Sequence, residues 1–219
     1  MSRRPVILIG GGEHARVVAD AIRSNPDLFD LIGFVDPKPP PGVGPPIPAP
    51  HLGDEAALRG YPGALAVLAF ASSRHRSARR EAVGRLSPIV GGWATVVHRH
   101  ARVAPDAVIG EGAVVLEGAV VQVGARIGAH AVVNAMAFVG HDVVVGEYAL
   151  VSPGVLLGGG ALVGDSAFLG LGAVIRDHRT VGTDSFVGMG VIVTSDVASG
   201  ARVIPHVVDS SGRPEWKRS

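Results

Sequence analysis

The chain has 219 residues, of which 47% are hydrophobic and only 5% aromatic, and its formal net charge is +1. That charge gives no electrostatic reason to expect nucleic acid or a membrane surface as a partner. The sequence has no Cys, no stretch near the roughly 18 apolar residues of a membrane span and no signal-peptide pattern, so we expect a cytoplasmic protein without disulfides or a thiolate nucleophile.

Residues 1–90 are typical of alternating strands and helices. Strands are predicted at 5–10, 31–36 and 64–70, and helices at 10–25 and at about 72–85, where Ser72 or Ser73 would cap the first turn. The proline-rich stretch 37–50 predicts an irregular loop. This order predicts a Rossmann-like βαβ domain with a parallel sheet, about half the length of a full dinucleotide-binding fold.

A repeat of six residues begins at Val97. The first residue of each six is Val, Ile or Leu at all seventeen positions up to Val193, and the fifth is Ala or Val at fifteen of them. A helix cannot produce this pattern, because six is not near a multiple of its period of about 3.6. The repeat predicts an all-β solenoid with coils of 18 residues, in an unbroken phase over 97–198. First and fifth residues should point inward, and glycine at the second or fourth place should permit an unusual φ at the corners.

The six residues 139–144, VGHDVV, contain the one His-Asp dipeptide of the chain. Val139 and Val143 should point inward, which leaves His141 and Asp142 at a corner. An imidazole is suited to removing a proton near neutral pH, and an adjacent carboxylate can orient it. The alternative is an exposed turn histidine without a catalytic role.

The segment 132–164, VVNAMAFVGHDVVVGEYALVSPGVLLGGGALVG, resembles the active-site segment of bacterial sugar acetyltransferases with a left-handed parallel β-helix, including the sialic acid O-acetyltransferase-like group. Asn134, His141 and Asp142 match the family pattern I-N-x-x-x-x-V-x-H-[DE]-x-x-I-G. The resemblance extends over essentially the whole chain. It implies a homotrimer with active sites between neighbouring solenoids, and acetyl-CoA as cosubstrate.

The mechanism that the resemblance implies is direct transfer. His141 would accept a proton as a substrate amine attacks the thioester of acetyl-CoA, and backbone N–H groups would stabilise the oxyanion. Gly159, one coil after His141, is the candidate donor, although it is also explained as a corner glycine. Gly170 and Gly188 are further candidates for contacts with the CoA arm, which related enzymes hold along the later coils.

The N-terminal stretch LIGGGEHARVV resembles the family motif G-x-[GS]-G-H-[GA]-[RK]-V-V, and Gly10, Gly12 and His14 match it. A glycine-rich turn before a helix suits phosphate, and related proteins bind the nucleotide of a UDP-, dTDP- or GDP-sugar there. Asp36 matches a family acid near the nucleoside. Glycines in a βα turn and an aspartate at a strand end also have purely structural explanations.

Other basic residues of this half are interpreted as structural or solvated. His98 should be structural. One cluster is expected on a solvated helix face, with Arg74 as an alternative phosphate contact: Arg74, Arg76, Arg79, Arg80 and Arg85.

Two departures from the family bear on the cosubstrate. Leu150 stands where the family often has a second histidine, nine residues after the first, which leaves the acyl group open. The tail 201–219 lacks the family ending V-x-G-x-P-A-[KR], which leaves the contacts with the CoA adenine open.

These observations predict three regions: a nucleotide-sugar-binding domain at 1–90, the acyltransferase solenoid at 91–205 and a tail at 206–219. The predicted activity is N-acetylation of a nucleotide-linked amino sugar. O-acetylation of a sugar hydroxyl and a non-catalytic binding scaffold remain alternatives. A zinc lyase is disfavoured, since the histidine spacing that its metal needs is missing, and no metal is expected.

Overall fold

The N-terminal part of the molecule is a parallel α/β domain. The structure is a computed structural model that describes residues 3–38, 46–71 and 77–205. Its first elements are β1 (Arg4–Ile9), α1 (Glu13–Arg23), β2 (Phe29–Val35), β3 (His51–Gly53), a 3-10 helix (Glu55–Gly60), β4 (Leu65–Leu68) and α2 (Ser77–Leu86). The predicted cap residues Ser72 and Ser73, the residues Arg74 and Arg76, and the tail 206–219 lie outside the described residues.

All four strands of this domain run parallel, in the order β3-β2-β1-β4. The predicted βαβ arrangement is therefore confirmed. The sequence did not indicate β3, because three residues are too few to show a hydrophobic period. No helix among the described residues is both long and apolar enough to cross a lipid bilayer.

From Val96 onwards the chain forms a β-solenoid of two-residue strands. In chain order these are β5 (Val96–Val97), β6 (Arg102–Val103), β7 (Val108–Ile109), β8 (Val114–Val115), β9 (Val120–Val121), β10 (Arg126–Ile127), β11 (Val132–Val133), β12 (Phe138–Val139), β13 (Val144–Val145), β14 (Leu150–Val151), β15 (Leu156–Leu157), β16 (Leu162–Val163), β17 (Phe168–Leu169), β18 (Val174–Ile175), β19 (Thr180–Val181), β20 (Phe186–Val187), β21 (Ile192–Val193) and β22 (Arg202–Val203).

These strands make three parallel sheets, one for each side of the prism. The first sheet contains β5, β8, β11, β14, β17, β20 and β22, the second β6, β9, β12, β15, β18 and β21, and the third β7, β10, β13, β16 and β19. Residues one coil apart pair across each sheet, as Val97 does with Val115 and Val139 with Leu157, which confirms the 18-residue coil.

The last coil breaks the predicted phase. Val187 pairs with Val203, only 16 residues later, and Val181 forms an isolated bridge with Val197. Val197 thus occupies the place of a first residue, although the repeat assigns it to a fifth. The prediction of an unbroken phase up to residue 198 is wrong here, because the closing coil turns with two residues fewer.

The side chains inside the prism are those that the repeat predicts. First-place Val, Ile and Leu and fifth-place Ala and Val form one buried cluster from Ala113 to Val197. Positive φ occurs at the fourth place of every six from Gly112 to Gly190, including non-glycine residues such as Asp142, at φ 58. Second-place glycines have another cause: a Cβ at Gly128, for example, would lie 2.6 Å from the backbone N of Glu147 in the next coil.

The N-terminal domain covers only one face of the prism. Outward residues of the first sheet, such as Val114 and Val132, are buried in one cluster with Val6 and Val18 of the α/β domain. Among residues 3–38, 46–71 and 77–205, no segment covers the second and third sheets in this way. The three corners of the prism are named as follows. The corner between the second and third sheets is the open edge (residues 141–142, 159–160 and 177–178). The corner between the third and first sheets is the covered edge (residues 130, 148 and 166), and the corner between the first and second sheets is the third edge (residues 134, 170 and 188).

Candidate active site

The His-Asp pair lies on the open edge. Nδ1 of His141 is 2.9 Å from Oδ2 of Asp142, and the two side chains are 56% and 70% exposed. An ionised carboxylate can only accept a hydrogen bond, so the neutral imidazole donates from Nδ1 and keeps its lone pair on Nε2. The backbone N–H of His141 donates to Oε1 of Gln122 at 3.1 Å, which fixes the start of the corner. The arrangement is that of an oriented base whose Nε2 lacks a protein donor.

Asp142 reaches its neighbour because of its backbone conformation. Its left-handed φ of 58° is one that Asp tolerates better than most residues. One coil below, a Cβ at Gly124 would overlap Oδ1 of Asp142, so the glycine provides the space that the carboxylate occupies.

Gly159 lies directly against the imidazole on the following coil. A Cβ on Gly159 would overlap Nε2 of His141 and lie 2.9 Å from its Cδ2. The corner is held on both sides, because Gly160 N–H donates to the carbonyl of His141 at 2.8 Å and the Gly159 carbonyl accepts from His178 at 3.0 Å. Within the described residues the N–H of Gly159 has no acceptor. A free backbone donor therefore lies beside the free nitrogen of the base.

The other solenoid residues predicted for the site lie on the third edge. Asn134, Gly170 and Gly188 occupy equivalent places there, with one coil between Asn134 and Gly170, and the second sheet separates them from His141. Oδ1 of Asn134 accepts from its neighbour Ala135 at 2.9 Å. The N–H groups of Gly170 and Gly188 donate to the next coil at 2.8 and 2.7 Å, so neither is available to a ligand. A single chain does not bring these residues to His141.

The glycine-rich turn lies between β1 and α1. Gly10 has φ 105, which favours glycine, and its N–H donates to Val35 at 2.8 Å. The two oxygens of Asp36 accept from the N–H groups of Gly11 at 2.7 Å and Lys38 at 2.8 Å, so this carboxylate holds the turn. Gly12 is the N-cap residue of α1 without a side-chain cap, and no atom of the described residues lies within 4 Å of where its Cβ would be. The turn therefore leaves the helix N-terminus open to an anion.

The side chain of His14 is largely shielded from solvent. Its Nε2 is buried without a hydrogen-bond partner among the described residues. Burial, and secondarily the charge of Arg79, lower the pKa of His14 to about 4, so its imidazole is neutral near neutral pH. A role of His14 in binding the nucleotide sugar stays a prediction, and its buried Nε2 is not in contact with solvent in the single chain.

The prediction that the arginine cluster lies on a solvated helix face is wrong for Arg79. Arg79 is only 1% exposed, whereas Arg80 is exposed. Arg85 is also exposed and forms an ion pair with Glu55, with 2.7 Å between NH2 and Oε1. Arg79 shares the buried face of α2 with Ala82 and Leu86. Their helical spacing of three and four residues was the signal in the sequence that this arginine points inward.

The covered edge contains residues that sequence reasoning missed. The ring of His130 stacks on Tyr148, with centroids 5.1 Å apart, and meets Trp93 edge-on at 5.0 Å. Burial, and then the charge of Arg79, lower the pKa of His130 to about 4. The adjacent Asp142 distinguished His141 in the sequence, but no sequence signal indicated that His130, at another solenoid corner, is buried among aromatic rings.

One group among the described residues has the spacing of metal ligands: His98, His100 and Glu117. His98 is 5% exposed, in line with its predicted structural role. Its Nδ1 already accepts from the N–H of His100 at 3.1 Å, and its Nε2 lies 3.5 Å from Asp20. Both ring nitrogens are thus engaged with protein groups, and the expected absence of a metal stays a prediction.

Comparisons with known proteins place this architecture among sugar acetyltransferases. Residues 5–78 match the family profile of the PglD N-terminal domain. The chain is similar to PerB from Caulobacter crescentus in complex with CoA and GDP-perosamine, with 30% identity, TM-score 0.79 and coverage of 93% of this chain and 95% of that one. A mutant of perosamine N-acetyltransferase from the same organism, also with CoA and GDP-perosamine, has 29% identity, TM-score 0.82 and coverage of 93% and 95%.

A third similar structure is the acetyltransferase domain of PglB from Neisseria gonorrhoeae in complex with acetyl coenzyme A. It has 28% identity and TM-score 0.82 over 93% of this chain and 97% of that one. A search of curated protein sequences gave no match. The similarity to these structures includes both the α/β domain and the solenoid.

Proposed function

Because the chain belongs to the family of hexapeptide-repeat sugar acyltransferases, we propose that it transfers the acetyl group of acetyl-CoA to the amine of a nucleotide-linked amino sugar. The observation that carries the proposal is the geometry of the open edge. There an imidazole oriented by a carboxylate presents Nε2 beside the unpartnered N–H of Gly159.

The proposed reaction is one direct transfer. The sugar amine attacks the thioester carbonyl while Nε2 of His141 takes a proton from the nitrogen, and Asp142 stabilises the imidazolium. The N–H of Gly159 donates to the oxyanion of the tetrahedral intermediate. Collapse of the intermediate breaks the C–S bond, forms the amide and releases CoA, whose sulfur receives the proton from His141.

A second protomer would complete this site. The outward residues on both sides of the open edge include exposed aliphatic side chains: Val108, Val144, Leu156, Leu162 and Ile192. Apolar faces of this kind favour association. We propose a homotrimer, which the family resemblance implies, in which the open edge of one prism meets the third edge of the next. Asn134 and the segments around Gly170 and Gly188 would then reach the groove from a different chain than His141.

The α/β domain would hold the nucleotide. The open N-terminus of α1 offers backbone N–H groups to a diphosphate, and Asp36 fixes the turn before it. PerB and the perosamine N-acetyltransferase mutant were solved with a GDP-linked sugar, which supports a nucleotide-linked acceptor for this chain.

The direct test is a screen of UDP-, dTDP- and GDP-linked amino sugars with acetyl-CoA, in which CoA thiol release and the acetylated product are measured. Each amino sugar is paired with the same nucleotide sugar carrying a hydroxyl in place of the amine. We expect release only with an amine-bearing acceptor. Turnover of the hydroxyl partner alone would replace N-acetylation by O-acetylation, and no turnover above the blank with any acceptor would contradict the proposal.

A further inference from the structure

The strongest unexplained feature outside the open edge is the buried guanidinium of Arg79. Its NH1 donates to the carbonyl of Phe70 at 2.5 Å and its NH2 to the carbonyl of His130 at 2.7 Å. Among the described residues, its Nε has no hydrogen-bond partner and no carboxylate forms an ion pair with it. Since a buried cation without an anion is costly, this charge calls for an explanation.

One arm of Arg79 leads to the glycine-rich turn. Phe70 lies just after β4, and its Cβ and Cδ1 are 3.3 Å from where a Cβ on Gly10 would be. Phe70 thus forms the back of the turn while its carbonyl accepts from Arg79. His14, in the first turn of α1, also senses the charge of Arg79 through its lowered pKa. The guanidinium is therefore set behind the segment that we propose for the diphosphate.

The other arm leads to the solenoid. The carbonyl of His130 belongs to the covered edge, where the N–H of His130 donates to Glu111 at 2.8 Å and its ring packs between Trp93 and Tyr148. This is a rigid point, because the coil ladder and two aromatic rings hold it. Arg79 thus connects the glycine-rich turn with the prism that carries His141.

The guanidinium keeps its charge at neutral pH. Burial lowers the pKa of Arg79 only to about 10. Two neutral carbonyls stabilise this charge through their dipoles but do not cancel it. An anion bound at the turn would interact with it across the weakly polarisable interior, where Coulomb attraction is stronger than in water.

We propose that Arg79 is a positioning residue of the nucleotide-sugar site, which fixes the glycine-rich turn against the solenoid and favours the substrate diphosphate through its unmatched positive charge. The inference rests on the proposed function, since the turn must bind a sugar nucleotide. A merely structural Arg79 would affect stability but would not discriminate between the two substrates.

The test compares two variants of Arg79 with the wild type. Arg79→Met removes the charge, and Arg79→Lys keeps the charge but cannot span both carbonyls. Arg80→Met is the matched control, because Arg80 also connects α2 with the solenoid, through Ser166 and the ring of Tyr148, yet is exposed. Dissociation constants of UDP, dTDP, GDP and acetyl-CoA are measured by calorimetry at low and high salt, together with KM and kcat for the nucleotide sugar and for acetyl-CoA.

For Arg79→Met we expect KM for the nucleotide sugar and the dissociation constant of the nucleoside diphosphate to rise about tenfold or more, and more at low than at high salt. Arg79→Lys should show a smaller rise. In both Arg79 variants, KM and the dissociation constant for acetyl-CoA should stay within about twofold of the wild type. Arg80→Met should leave KM and the dissociation constants of both substrates unchanged.

The outcomes separate the two proposals. If the wild type binds none of UDP, dTDP and GDP, the proposed substrate class fails and this inference with it. If the wild type binds one of them and both Arg79 variants bind it equally well, only the inference fails. If Arg79→Met does not fold, Arg79→Lys decides: an unchanged KM for the nucleotide sugar overturns the role, and a selective rise supports it.

Discussion

The open edge and the covered edge show how one backbone gives two different histidines. Both edges are corners of the same repeat with the same left-handed fourth residue. His141 is more than half exposed beside a carboxylate, whereas His130 is 4% exposed, packed between aromatic rings and near Arg79. The solenoid fixes where an imidazole stands, and what lies over the corner decides its chemistry.

The same contrast applies to the bare prism faces. The first sheet is covered by the chain's own α/β domain, while the second and third expose aliphatic side chains. No described segment covers the open edge, and we propose that another protomer completes it.

The largest effect is expected when the faces beside the open edge are made charged. The double change Leu156→Glu and Leu162→Glu should prevent assembly and abolish acetyl transfer, because buried carboxylates without partners oppose association. Light scattering measures the oligomeric state. Leu28→Glu, at an exposed leucine of the α/β domain, is the control. A double variant that assembles and works normally would refute the trimer groove.

His141→Ala should lower kcat for acetyl transfer about 1,000-fold, because it removes the general base. The matched control is His100→Ala, which removes an exposed imidazole 3.6 Å from Glu117 in the first coil and should not affect kcat. Circular dichroism checks the fold of both. Full activity of the His141 variant would leave only a binding role for the open edge.

Gly159→Ala should lower kcat about 100-fold, because its Cβ would displace the imidazole that stands over the proposed oxyanion donor. The coil itself accepts a side chain at this place, since Val123 occupies the equivalent position one coil before His141 and is 56% exposed. Val123→Ala is therefore the control. A fully active Gly159→Ala enzyme would argue against this donor.

Asp142→Asn should lower kcat about tenfold, because the amide keeps an acceptor oxygen for His141 but loses the negative charge that stabilises the imidazolium. Asp106 stands at the same place of the same edge two coils earlier, where it accepts from Gly124 N–H at 3.0 Å. Asp106→Asn should leave kcat unchanged. Steady-state kinetics with saturating substrates compares the two, and equal rates would remove the orienting role of Asp142.

The smallest effect concerns stability at the covered edge. The folded-state pKa of His130, about 4, lies below the ordinary value of 6.5, so the unfolded chain binds more protons between these pH values. The free energy of unfolding should therefore fall as pH drops from about 6.5 to about 4. His130→Gln should flatten this slope in urea titrations; His14, shifted in the same direction, retains part of it. An unchanged slope would contradict the role of burial.

The sequence alone determined the solenoid, because its information is local and periodic. An inward aliphatic residue at every sixth position, together with small fifth residues, fixes coil length, pairing register and core. The period also aligned His141 with Gly159 on successive coils and turned His141 and Asp142 outward. The parallel α/β domain was predicted too, since its strands are short apolar runs.

Other features depended on contacts that no short pattern contains. The burial of Arg79 and His130, the turn-holding role of Asp36 and the two-residue shortening of the last coil each follow from packing between segments far apart in sequence. The placement of Asn134, Gly170 and Gly188 on a different edge from His141 likewise needed the folded prism. Burial and charge are properties of the neighbours that surround a residue, and only the tertiary structure assembles those neighbours.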